Sequence, residues 1–181
     1  MSIISEIGTT FAKITGYEVI SDYLPSVSDE DVTLLEVPGY TQLSDYTCGY
    51  VAGLMILHSF RPEACVDEFW YKCNLDEGHG MQTEDLSKAL RKSGVGTSIR
   101  YNMSFKQIAK TINDGFPIAV CVEAGGDDEH WGVIYGVREG EDQSIFFAAG
   151  GVPLLTSKEF SWKKFLTKWE STRVALVCWG K

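Results

Sequence analysis

The chain has 181 residues, 44% of them hydrophobic and 23% charged, the balance of one ordinary folded domain rather than a disordered or fibrous segment. Twenty-five acidic against 16 basic residues give a formal charge of −9 with no Lys/Arg-rich run, which disfavours nucleic acid as a partner and favours a peptide, a small molecule or a basic protein. The apolar runs fall short of the ~20 residues of a membrane span, no secretory signal is visible, and the five cysteines are scattered without a CxxC spacing. A soluble, cytoplasmic chain with reduced thiols, no structural metal and no cofactor is expected.

In chain order, Ile3, Ile7, Phe11 and Ile14 recur at helical spacing until Gly16, and residues 17–23 read as a strand. Residues 28–31 form a turn, and 32–37 an extended run that Pro38 and Gly39 end. From Cys48 to His58 the chain is apolar on most faces and lacks proline, which predicts a buried helix with Cys48 at its N-terminal end. Pro62 and Glu63 look like the first turn of a further helix through Cys73, Thr83 opens another that Gly94 stops, and Ser104 with Gln107 makes a capping box for a third.

Beyond Pro117, residues 118–122, 130–137, 145–149 and 173–179 are short apolar or alternating runs bounded by turn residues, hence strands, with a helix expected over 157–169 between the last two. Helices come first and a mostly antiparallel sheet second, so the fold class is α+β.

Cys48 is the candidate nucleophile, because main-chain N–H groups and the helix dipole stabilise a thiolate at a helix start. Cys65, Cys73, Cys121 and Cys178 lie among apolar neighbours and read as core. A thiol needs an imidazole to take its proton. His58 is ten residues along the same helix, about 15 Å of rise away, and His79 sits in a glycine-flanked loop. His130, at a strand mouth after the acidic loop 123–129, is the candidate base. The neighbouring Asp127, Asp128 and Glu129 would favour its protonated form. Gln42, six residues before Cys48, carries an amide able to donate to an oxyanion.

The run from Val37 through Gln42 to Cys48-Gly49, followed by His130-Trp-Gly-Val-Ile-Tyr-Gly136, resembles the bacteriocin-processing cysteine peptidases, papain-like enzymes that cut double-glycine leader peptides. The resemblance spans roughly residues 33–180, leaving 1–32 as an N-terminal extension of unclear role before a papain-like domain at 33–181. It implies a central helix carrying Cys48 packed on a mostly antiparallel sheet carrying His130. By the same resemblance Cys48 is the nucleophile, His130 the general base and acid, and Gln42 with the Cys48 N–H the oxyanion hole, acting on a peptide or protein substrate. One departure stands out: the family's imidazole-orienting Asp corresponds to Ala149, with Asp142 and Asp127 as possible substitutes. Two other readings share the same residues: a catalytically silent peptide-binding module, and an acyl transferase that passes the Cys48 acyl group to an amine.

Overall fold

A computed structural model describes residues 18–19, 30–42, 44–75, 80–125, 128–150 and 156–181. The helix expected at 3–14, His79 and Asp127 lie outside the described residues.

The elements are β1 (Glu18–Val19), β2 (Val32–Leu34), β3 (Pro38–Gly39), α1 (Cys48–Phe60), α2 (Val66–Cys73), α3 (Thr83–Lys92), β4 (Val95–Tyr101), α4 (Phe105–Asn113), β5 (Ile118–Gly125), β6 (Asp128–Arg138), β7 (Ser144–Ala149), β8 (Thr156–Ser161), α5 (Trp162–Trp169) and β9 (Val174–Gly180). The main sheet runs β4-β9-β5-β6-β7-β8, and all its pairings are antiparallel. Partnering of β6 by β5 ends at Ile134, and β2 takes over from Gly136 to Arg138.

Helices cover both faces. Ala119, Cys121, Trp131, Val133 and Tyr135 face a core shared with α1, α2 and α3, while Ile118, Val120, Val122 and Ile134 face a second core under α4 and α5. Burial on both sides is why β5 reads as a continuous apolar run rather than an alternating one. Every residue of α1 from Cys48 to Leu57 is buried. Burying each large apolar side chain fully contributes roughly 1.5–3 kcal/mol, so this helix is held as a rigid axis and its first residue cannot wander.

Several expectations are corrected. Pro62 and Glu63 form a turn, and α2 starts only at Val66. The predicted helix at 157–169 begins at Trp162; the residues before it form β8, hydrogen-bonded to β7. Residues Val95–Tyr101 add a strand, β4, to those the sequence predicts. The strand in the run 32–37 ends already at Leu34, before Pro38 and Gly39, which themselves pair with Val19 and Glu18. The acidic loop shrinks, since β5 runs to Gly125 and β6 starts at Asp128. The Ser104–Gln107 capping box forms as expected, the Ser104 side chain accepting from the Gln107 N–H.

Candidate active site

The segment before α1 is built around one carbonyl. Ser44 O accepts from the Thr47 amide at 3.0 Å, from the Thr47 hydroxyl at 2.7 Å and from Gln42 Nε2 at 3.2 Å. This turn delivers the chain into α1 and holds the Gln42 amide. Gln42 is buried, and its Oε1 is enclosed without a partner. One of the two Nε2 hydrogens goes to Ser44, which leaves the other as a donor.

Cys48 is the first residue of α1 and is 6% exposed. Burial pushes its thiol above the ordinary range; the main-chain N–H groups of Trp131, Gly49 and Cys48 itself favour the thiolate but offset only part of that. The expected net gain from the helix start is therefore overturned by desolvation. Gly49 is required beside it: a Cβ there would lie 2.6 Å from Met81 Cβ and 3.2 Å from Trp131 Cδ1.

His130, half-buried on β6, is the residue before Trp131, so the strand that reaches the Cys48 sulfur with a main-chain N–H also carries the imidazole. Its Nε2 is 2.7 Å from the Gly150 carbonyl oxygen. A carbonyl only accepts, so Nε2 carries the proton. Gly150 is wedged between α1 and the segment before it: a Cβ would fall 2.6 Å from Val51 Cγ1, 3.0 Å from Tyr40 O and 3.4 Å from the Gln42 main-chain nitrogen. Gln42, the first turn of α1 and the histidine strand thus converge on one junction.

Of the two expected substitutes for the orienting Asp, Asp127 lies outside the described residues and Asp142 is not a partner of His130. Asp142 is exposed in the turn joining β6 to β7, at the far end from His130, and Ala149 is buried in the second core. The ring is held by a main-chain oxygen, a group without a residue-type signature in the sequence.

Cys121 shares the Cys48 side of the sheet and lies across from Trp131. Its sulfur is 3.8 Å from Glu129 Oε2; burial raises its pKa, with the charges of Glu129 and Cys48 adding to the shift. Burial pushes the Cys73 thiol up to about 12 and that of Cys178 up as well. Cys65, expected in the core, is exposed instead at the N-cap of α2. His58 lies ten residues along α1 from Cys48: its Nε2 donates to Ala64 O at 3.0 Å and its Nδ1 accepts from the Tyr40 hydroxyl. Among the described residues no group of three His, Cys, Asp or Glu side chains could hold a metal, and no helix is long and apolar enough to cross a membrane.

A match to the Peptidase_C39 like family extends over residues 34–176 and takes in Gln42, Cys48, His130 and Gly150. The chain belongs to this family of cysteine peptidases. Three C39 or related solved structures share its papain-like fold. A C39-like peptidase from Bacillus anthracis is 16% identical, with a TM-score of 0.66 over 84% of this chain and 99% of that one. A double glycine motif protease from an AMS/PCAT transporter, solved with its leader peptide, is 14% identical with a TM-score of 0.62 over 82% and 95%. The peptidase domain of Streptococcus ComA, a bifunctional ABC transporter, is 16% identical with a TM-score of 0.61 over 82% and 98%. No curated protein sequence matches the chain.

Proposed function

We propose that this C39-like chain is an active cysteine peptidase that cleaves a peptide bond through a thioester on Cys48, with His130 as general base and acid and the Gln42 amide together with the Cys48 N–H as oxyanion donors. The observation that carries the reading is the junction itself: the Cys48 sulfur meets the N–H of Trp131, whose preceding residue is the only histidine at the site among the described residues. Next to it stand Gln42 and Gly150.

The chemistry follows from the atoms available. Cys48 Sγ bonds to the scissile carbonyl carbon as its proton passes to His130 Nδ1, and the carbonyl π pair moves onto oxygen, where the Gln42 and Cys48 N–H groups receive it. His130 then protonates the amine nitrogen, the C–N bond breaks and a thioester remains. A water gives its proton to Nδ1 while its oxygen attacks the thioester; the sulfur leaves with the electron pair and recovers its proton from the imidazolium. An amine in place of that water would make the same site an acyl transferase.

A peptide is the substrate class to test first, because a neighbour of the same fold is solved with its leader peptide. A panel of synthetic peptides, with and without Gly-Gly before the scissile bond, should be cut by the native protein, with intact-mass detection of an acyl adduct on Cys48. Cys48→Ala and His130→Ala should abolish both. Absence of cleavage and of any adduct across the panel overturns the enzyme reading and leaves a silent peptide-binding module, which the burial of Cys48 and the apolar Ala149 would then explain.

A further inference from the structure

Gln42 stands on the segment that precedes α1, and its amide can converge with the Cys48 N–H only if that segment is held in one place along the helix. Resting on the reading of Gln42 as an oxyanion donor, we propose that Tyr40 and His58 are positioning residues of this site: the bond between the Tyr40 hydroxyl and His58 Nδ1 clamps the segment carrying Gln42 onto α1.

The segment from Tyr40 to Cys48 has two ends to hold. Its downstream end runs covalently into α1, whose first residue is Cys48. Its upstream end enters from β3, which pairs with β1 in a two-stranded sheet separate from the main one. That pairing ties the segment neither to α1 nor to the histidine strand. The bond from Gln42 Nε2 to Ser44 O, at 3.2 Å, fixes the side chain to its own segment and not the segment to the helix. Close packing adds a limit on approach: a Cβ at Gly150 would meet Tyr40 O at 3.0 Å and the Gln42 main-chain nitrogen at 3.4 Å.

Tyr40 supplies the missing tie. The same Cβ position lies 2.6 Å from Val51 Cγ1, so the Tyr40 main chain passes α1 beside Val51. His58 follows Val51 by seven residues, which puts it on the same face of the helix and about 10 Å further along the axis. The buried side chain of Tyr40 spans that interval. Its ring meets the His58 ring edge-on, with centroids 5.7 Å apart, and its hydroxyl bonds to Nδ1.

His58 is itself anchored. Its Nε2 donates to the Ala64 carbonyl at 3.0 Å, in the turn that follows α1. Burial favours the neutral ring, in which a donating Nε2 leaves Nδ1 as an acceptor. With both nitrogens engaged, the imidazole is a fixed point on a helix that is itself buried over most of its length. Ser59, the next residue, has no comparable reach: its hydroxyl returns to Met55 O within the helix.

The segment is thus closed on one rigid helix at both ends, by the chain at Cys48 and by the Tyr40 side chain at His58. Releasing the second end lets the Gln42 amide drift from the point that the Cys48 N–H faces, and a misplacement of about 1 Å can cost about 10²-fold in rate.

The test is a double-mutant cycle on a peptide that the native protein cuts, with a spectroscopic readout beside it. Tyr40→Phe, which keeps the ring and removes the hydroxyl, should lower kcat about tenfold with little change in KM, and should cost less than about twofold more when added to Gln42→Ala. His58→Phe should behave like Tyr40→Phe. His58→Asn, which offers an acceptor oxygen near the place of Nδ1, should restore most of kcat. In protein with 15N-labelled glutamine, the side-chain amide signals of Gln42, identified by their loss in Gln42→Ala, should move in Tyr40→Phe and stay in place in Ser59→Ala. Gln42 signals unmoved by Tyr40→Phe, or a loss of kcat just as large in the Gln42→Ala background, overturns the proposal. A native protein that cuts no peptide while the Gln42 signals still move in Tyr40→Phe overturns the peptidase reading and leaves the clamp standing, and so the two failures are distinguishable.

Discussion

The indole Nε1 of Trp131 donates to the carbonyl of Met81 across 2.9 Å, and this bond ties the histidine strand to the segment that packs on Gly49. Both groups are buried. Because the Trp131 main-chain N–H also faces the Cys48 sulfur, the side chain and the backbone of one residue fix the sulfur between two elements distant in sequence.

Trp131→Phe keeps the ring volume close but leaves the buried Met81 oxygen without its donor. A loss of about 1–3 kcal/mol is expected, read as a lower urea midpoint at unchanged m-value. Peptidase activity should fall further than stability accounts for when compared at a temperature where both proteins are folded.

Gln42→Ala removes the amide that Ser44 O holds near the junction. Loss of one oxyanion donor costs about 10²–10³ in kcat with KM little changed. Steady-state kinetics on a cleaved peptide checks this. Gln42→Glu should fail to rescue, since a carboxylate has no N–H to offer and repels the developing oxyanion. Equal effects on KM and kcat would assign Gln42 to substrate binding instead.

Stability should fall on both sides of neutrality, for opposite reasons. Burial lowers the pKa of His58 from its ordinary value of 6.5, partly offset by the Ala64 carbonyl and Glu63. The unfolded chain then binds more protons below that value, so the contribution of His58 is complete above about pH 6.5 and is lost as the pH falls through it. On the alkaline side the buried thiols of Cys48, Cys73, Cys121 and Cys178 are all raised. Their contribution is complete below the unfolded thiol value of about 8.5 and is lost as the pH rises, by about 1.4 kcal/mol per unit for each thiol still protonated in the fold. Urea midpoints from pH 5 to 10 should trace a dome, and His58→Asn should flatten its acid limb.

Cysteine accessibility separates the five thiols. Cys65 is exposed and the other four are buried. In the native protein a thiol-specific reagent should modify Cys65 at the rate of a free peptide thiol, with Cys73 and Cys178 reacting only on unfolding. Peptide mapping after a short exposure checks it. Fast labelling of Cys178, which lies inside the sheet, would contradict the fold.

Much of the candidate site is legible from local chemistry. The proline-free apolar run after Cys48 marks a buried helix and puts Cys48 at its start, and Gln42 lies near enough along the chain for one turn to bring it alongside. The runs at 118–122 and 145–149 are apolar because both sheet faces are covered, and they read directly as strands. The edges of the sheet do not. β4, with Gly96, Ser98 and Arg100 among its residues, and β8, with Lys158 and Glu159, are half-exposed strands whose patterns do not alternate cleanly. Phe160, Phe165 and Trp169 are spaced as on one continuous helix, although Phe160 lies on β8 and the other two on α5.

The sequence by itself determined the α+β class, the cysteine at a helix start and the histidine at a strand mouth, because each depends on periodicity and residue type over a few neighbours. Only the tertiary structure decided what acts on them. The shift of the Cys48 thiol is the outcome of burial against three N–H groups, one of them 83 positions away in Trp131. The orientation of His130 rests on the carbonyl of Gly150, and every residue has a carbonyl. Desolvation and main-chain contacts depend on how the chain closes on itself, and residue type does not encode either.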